Sequence, residues 1–278
     1  MSINILSNAK INLGLKINQK RSDGYHNIST LMQEINLHDE IIVSKNSSNK
    51  INLNLRGITT PNNHSNLCYI SAQHFLDKHS INTGVDIKLT KNIPIGSGLG
   101  GGSSNAACII KGLSKLFQIN INTKSMEQIA SKIGADVPFF IKGGLQLAEG
   151  IGDKLTVIPP LCKGYYFLLV FPQINISTQW AYSAYKKYLE ITPNKTNFQP
   201  LSDIINWSLL ENDFEKVVLS TYPEIKKIKE NFEKNKPLFS SLSGSGSTMF
   251  GVYDSLESVN HASDLFKQHQ TYKALPVY

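Results

Sequence analysis

Eleven consecutive residues constrain this chain more than any others: Pro94, Ile95, Gly96, Ser97, Gly98, Leu99, Gly100, Gly101, Gly102, Ser103 and Ser104. Five are glycine, and two serines close the stretch. A strand-like run, Val85-Asp86-Ile87-Lys88-Leu89, precedes it. A helix-like run over 105–117 comes after it, with apolar residues at Ala106, Ile109, Ile110, Leu113 and Leu116 on one face. Strand, glycine loop and helix N-terminus together present bare backbone N–H groups and the positive end of a helix dipole to an anion. Glycine permits φ > 0 and lets phosphate oxygens approach with no Cβ in the way. A turn without ligand needs fewer glycines, so phosphate binding is the better reading.

Three known phosphate loops fit poorly. A Walker loop requires Gly-Lys-Ser/Thr, and here Gly102 is followed by Ser103 and Ser104. A dinucleotide fingerprint is formally present at Gly96, Gly98 and Gly101, but no Asp or Glu occurs between Asp86 and Glu127 to hold a ribose. The His-Arg-Asp and Asp-Phe-Gly motifs of protein kinases are absent.

The 278 residues, 41% of them hydrophobic, suit one large or two modest domains with real cores. The longest apolar run, over 165–171, is too short for a bilayer, and the first residues lack a signal-peptide pattern. Cys68, Cys108 and Cys162 are odd in number and far apart, giving neither a disulfide framework nor a metal pair. The expectation is a cytoplasmic protein with no membrane partner. The net charge of +7 raises an RNA-binding module as a rival. Only Arg21 and Arg56 are arginines, however, and the lysines are scattered, whereas specific readers of nucleic acid lean on arginine forks. No nucleic-acid partner is therefore expected.

Period-two alternation over 9–17 predicts a strand that puts Lys10 and Asn12 on one face; a solvated lysine is the alternative to a polar site there. Asp23-Gly24 marks a turn into one long or two short strands over 28–43, with another over 51–55. Asn66 is placed to cap a helix running to Lys78. A helix over 125–133 is expected to stop at Gly134, and Asp136 to cap the next segment or hold a carboxylate in a fixed direction. Strands over 145–148, 155–158 and 165–171 lead past Pro159-Pro160, a candidate boundary between domains at 1–158 and 159–278. Helices are expected over 179–189, 201–208, 213–220, 223–234 and 256–268, with strands over 238–242, 248–253 and 272–277. The stretch Ser243-Gly244-Ser245-Gly246-Ser247 suits either a turn or close packing on another glycine loop. The whole reads as α+β in two halves. Phosphoryl transfer needs a phosphate cradle, a group to accept the hydroxyl proton and a cation near the developing charge. Lys10 and Asp136 are the candidates for the last two.

The glycine stretch resembles the ATP-binding signature of the GHMP kinases. Ala9-Lys10-Ile11-Asn12-Leu13, Arg21-x-Asp23-Gly24-Tyr25-His26, Gly134-Ala135-Asp136-Val137-Pro138 and Leu242-Ser243-Gly244-Ser245-Gly246 narrow the likeness to the 4-diphosphocytidyl-2-C-methyl-D-erythritol kinases within that family. The resemblance implies a two-domain GHMP kinase fold: a first domain like the second domain of ribosomal protein S5, then a ferredoxin-like domain. It implies ATP as co-substrate, Mg2+ accompanying it, and a cytidyl diphosphate sugar-alcohol as the small-molecule partner in the non-mevalonate route to isoprenoid precursors. It implies Lys10 and Asp136 as the catalytic pair. Residues 94–104, with Asn66 and Lys91, would hold ATP, and Asn12, Tyr25, His26, Thr178 and Tyr182 the second substrate. Ser103 is the candidate for a metal contact; no second ligand emerges, so the metal ligands stay unassigned. A mevalonate- or homoserine-type kinase is the alternative, and the protein is expected to be a monomer or homodimer.

Overall fold

In a computed structural model the described residues are 1–191, 198 and 205–278, and they form two compact units. One comprises Met1–Ala9, Leu37–Ile95 and Gly100–Gly143; the other comprises Lys10–Asn36, Gly96–Leu99 and Gly144–Tyr278. Two long strands, β1 (Ser2–Lys20) and β2 (His26–Asn46), contribute to both. The alternation over 9–17 thus belongs to a strand that extends beyond it at both ends.

In the first unit β3 (Ile51–Gly57) runs parallel to β4 (Gly84–Lys91), from Ile51 opposite Val85 to Gly57 opposite Lys91. β4 in turn pairs antiparallel with residues 40–46 of β2. Val85, Ile87 and Leu89 are buried, as period two requires. Against them lie α1 (Leu67–Lys78), α2 (Gly101–Leu116), α3 (Thr123–Ala130) and the one-turn α4 (Phe139–Lys142). Asn66 caps α1 by accepting from the Cys68 N–H, and Asn122 caps α3 by accepting from Ser125. The face of α2 carrying Ala106, Ile109, Ile110 and Leu113 is wholly buried. α3 ends at Ala130 with Ser131 as its C-cap, short of the expected stop at Gly134.

In the second unit residues 28–33 of β2 pair antiparallel with β5 (Leu145–Gly150), which pairs with β6 (Lys154–Val157). A separate antiparallel sheet, ordered β10-β7-β9-β8, joins β7 (Tyr166–Phe171), β8 (Phe239–Leu242), β9 (Met249–Tyr253) and β10 (Gln270–Ala274). α5 (Thr178–Ile191), α6 (Glu215–Thr221), α7 (Pro223–Lys234) and α8 (Leu256–Ser263) accompany it. Leu168, Val170, Tyr185, Phe214, Phe232 and Phe266 form one buried apolar cluster there. The helix expected over 201–208 falls mostly outside the described residues; its end is a 3-10 turn, Trp207–Leu209. α8 is shorter than expected, with a 3-10 turn at Asp264–Phe266.

Candidate functional site

The glycine stretch bridges β4 and α2. The helix starts at Gly101, four residues earlier than its apolar pattern suggests, so Ser103 and Ser104 sit in its first turn. Its N-cap is Gly100, left-handed at φ 67°, with no side-chain cap and no acidic residue in the first turn. The leading N–H groups of a 16-residue helix are therefore left uncapped by side chains, the condition under which an anion is attracted. Ser104 is buried and shares a 2.8 Å hydrogen bond with the Ser7 hydroxyl, whereas Ser103 is half-buried.

The two residues expected near a nucleotide base are engaged locally. Asn66 accepts from Cys68 N–H and donates to the Pro61 carbonyl at 2.8 Å. Lys91 is buried with its ammonium on the Asp39 carboxylate. Asp136, half-buried, lies in the turn before α4. The N-cap of α4 is Pro138, which makes no side-chain cap bond, so Asp136 does not serve as that cap.

The second unit holds the other sequence-selected residues in two groups. The first surrounds Lys10. Ala9, Lys10, Ile11, Asn12 and Leu13 are all buried, so both faces of β1 are covered here and the solvated-lysine alternative fails. The Lys10 ammonium donates to Asn12 Oδ1 and, at 2.7 Å, to the Gly98 carbonyl. Asn12 Nδ2 donates to Thr30 Oγ1 at 2.7 Å, and that hydroxyl donates to the Gly14 carbonyl at 2.7 Å. Ser243 Oγ donates to the same Gly98 carbonyl at 3.0 Å and accepts from Asn12 N–H at 3.3 Å. Gly98 must be glycine: its φ is +79°, and a Cβ there would lie 1.9 Å from the Ser243 carbonyl oxygen. The close packing of two glycine stretches anticipated from sequence thus exists.

Two residues of this group escaped the sequence reading. Thr30 sits mid-strand, where no local pattern marks it. Asn212 donates to the Leu242 and Gly244 carbonyls at 2.7 and 2.9 Å, fixing the second glycine turn. Asn212-Asp213 reads as a helix start, which hid this longer reach.

The second group lines a cavity of about 470 Å³ that includes Tyr25, His26, Thr178, Tyr182, Lys20 and Lys186. His26 stacks on Tyr182, centroids 5.2 Å apart and planes 13° apart, and Tyr182 meets Phe214 edge-on. Tyr25 is 63% exposed. Thr178 Oγ1 and Ser245 Oγ share a 2.9 Å hydrogen bond. Burial, and secondarily the Lys20 ammonium, lower the His26 pKa below its ordinary 6.5, which keeps the ring neutral at pH 7. Its Nε2 is buried without a hydrogen-bond partner among the described residues. A neutral imidazole stacked on a tyrosine ring in the wall of a cavity suits a flat heteroaromatic ligand. Among the described residues no helix is long and apolar enough to cross a membrane.

Comparison with known proteins converges with this geometry. The family model for the N-terminal domain of GHMP kinases matches residues 66–144, and that for the C-terminal domain matches residues 192–269. A 4-diphosphocytidyl-2-C-methyl-D-erythritol kinase of Acetivibrio thermocellus is 37% identical over 91% of this chain and 90% of its own. One from Chlorobium phaeobacteroides is 38% identical over 96% of this chain and 94% of its own. A crystal structure of 4-(cytidine 5'-diphospho)-2C-methyl-D-erythritol kinase superposes with a TM-score of 0.79 at 27% identity, over 99% of this chain and all of that one. Homoserine kinase from Cytophaga hutchinsonii, at 19% identity and a TM-score of 0.76 over 99% of this chain and 95% of its own, shares the fold. With its two-domain α+β architecture, its glycine loop at a helix start and these relatives along nearly its whole length, the chain belongs to the GHMP kinases, ATP-dependent small-molecule kinases, and within them to the 4-diphosphocytidyl-2-C-methyl-D-erythritol kinase family.

Proposed function

We propose that this protein transfers the γ-phosphoryl group of ATP to the C2 hydroxyl of 4-diphosphocytidyl-2-C-methyl-D-erythritol, a step toward isoprenoid precursors. The substrate comes from the relatives, which bear that name over nine-tenths or more of the chain. From the site, one observation carries the reading: a buried lysine whose ammonium is fastened to the backbone of the glycine loop, at Gly98. A cation so held acts where phosphoryl charge would develop.

In this reading residues 94–104 cradle the triphosphate with backbone N–H groups and the start of α2. Asp136 accepts the proton of the C2 hydroxyl as its oxygen forms the new bond to phosphorus and ADP departs. Lys10 stabilises the charge that gathers on the reacting oxygens. Mg2+ bound with ATP would supply positive charge to the phosphates, and the Ser103 hydroxyl, half-buried in the first turn of α2, is the group that would hold it. Asn12 orients the sugar-alcohol. Tyr25, His26, Thr178 and Tyr182 take the cytidine, His26 reading the cytosine edge and Tyr182 stacking on the base. The domain division at residues 158 and 159 belongs to the same proposal.

The test is turnover with ATP on that substrate against mevalonate, homoserine and galactose. The expectation is phosphorylation of the cytidyl substrate alone; activity on a rival would move the protein elsewhere in the family. Lys10→Ala and Asp136→Asn should each lower kcat by about 100-fold or more with the melting temperature retained. Near-normal turnover in both would remove the pair. A steeply salt-dependent RNA shift that is still strong at physiological salt, with no phosphoryl transfer, would favour the RNA-binding alternative.

A further inference from the structure

The first unit contains a buried titratable pair, Asp39 and Lys91, for which the proposed phosphoryl transfer has no use. Asp39 is fully buried and Lys91 is 4% exposed. As a source of stability such a pair is a poor choice. Its desolvation cost consumes much of the attraction, and apolar replacements of like volume often do as well. What a carboxylate can do here is collect donors. Asp39 Oδ1 accepts from Asn92 N–H at 2.7 Å and Ile93 N–H at 2.8 Å; Oδ2 accepts from Lys91 Nζ and, at 2.8 Å, from Asn105 Nδ2. Residues 91–93 lead into the glycine stretch, and Asn105 lies just past it in the first turns of α2. One carboxylate therefore ties together both shoulders of the stretch.

The far shoulder is braced again. Asn105 Nδ2 also donates to Ser7 Oγ at 2.8 Å, and that hydroxyl pairs with Ser104 Oγ. The Lys91 ammonium packs on the first residue of α2: a Cβ on Gly101 would lie 2.8 Å from Nζ. Fixing both ends of a glycine-rich segment removes backbone freedom that nucleotide binding would otherwise have to freeze.

We infer that Asp39 is a positioning residue for the nucleotide loop: it holds the two shoulders of residues 94–104 at the spacing ATP requires, and Lys91 acts through it rather than on the base. This rests on the reading of residues 94–104 as the ATP cradle.

The discriminating variant is Asn105→Leu, which frees the far shoulder while leaving the ion pair and Lys91 in place. The probe is the non-hydrolysable analogue AMP-PNP, measured by calorimetry beside steady-state kinetics and amide exchange. The expectation is an AMP-PNP Kd and an ATP KM raised about tenfold. The cytidyl substrate's KM and kcat stay within about threefold, and exchange quickens over 96–102. An unchanged Kd in folded Asn105→Leu overturns the inference, as does a parallel rise of both KM values. Should Asn105→Leu fail to fold, the double variant Asp39→Asn, Lys91→Met decides. It removes both charges together and should show the same selective loss of nucleotide affinity. A double variant that also fails to fold overturns the claim, because the pair would then be holding the core and not the loop. Failure of the unaltered protein to bind AMP-PNP would strike instead at the ATP reading beneath.

Discussion

The two glycine-serine stretches are similar in composition and opposite in use. Residues 94–104 run from a strand into a long helix and leave that helix's leading N–H groups uncapped by side chains. Residues 243–247 join two antiparallel strands, β8 and β9, and every serine in them is occupied. Ser243 holds the Gly98 carbonyl, Ser245 pairs with Thr178 beside the cavity, and Ser247 donates to the Ile174 carbonyl. The first stretch offers donors, and the second consumes them as a bracket. Composition alone does not separate the two; the element that each stretch leads into does. A helix leaves its first N–H groups without intrahelical partners, whereas an antiparallel hairpin pairs most of its own.

The contrast breaks most severely at the point where the stretches touch. Gly98→Ala would need a left-handed alanine and a Cβ inside the Ser243 carbonyl, so kcat should fall more than about 100-fold and stability by at least about 2 kcal/mol in urea unfolding. Gly102→Ala is the control within the same stretch. Among the described residues its Cβ would meet only Leu67 Cδ1, at 3.5 Å, from a helical position, so stability in urea unfolding should hold or rise slightly, by about 0.5 kcal/mol. Equal damage from both would mean that glycine is required throughout and not at the contact. Ser243→Ala removes the bracket's hold on Gly98 and Asn12, both close to Lys10. It should cost about 1 kcal/mol and about tenfold in kcat, with the ATP KM little changed; a wild-type kcat would reduce the second stretch to a plain turn.

The smallest effect concerns the cavity beside the bracket. Because the His26 pKa lies below 6.5 in the folded chain, the unfolded chain takes up its proton first as pH falls. Its contribution to stability is therefore intact above pH 6.5 and declines as pH falls through the lowered value. The KM for the cytidyl substrate should be flat above pH 6.5 and rise below it, by about threefold, as the ring charges. His26→Gln should flatten that acid limb. A KM that climbs on the alkaline side instead would mean the charged ring is the binding form.

Much of the fold is legible because its signals are local. Period two finds β1 and β4, an unbroken apolar run finds β7, Asn66 marks the start of α1, and the glycine stretch announces itself. Errors fall where a neighbour decides. Glycine's poor helix propensity hides the true start of α2, since a helical first turn is set by the packing of the later turns. α3 stops at Ala130, not at Gly134, the residue type suited to end it. Asp136 looks like a cap by residue type, yet the turn places Pro138 at that position. Lys91 carries no sign in sequence of its partner 52 residues away.

By itself the sequence determined the family, the glycine loop and which residue types could transfer a phosphoryl group, because these depend on order along the chain. Only the tertiary structure decided that the polar face of β1 is covered, and that Lys10, Gly98 and Ser243 share one carbonyl. Alternation states which side chains share a face but not what lies on it. Burial and a hydrogen bond spanning 145 residues are properties of the packed chain.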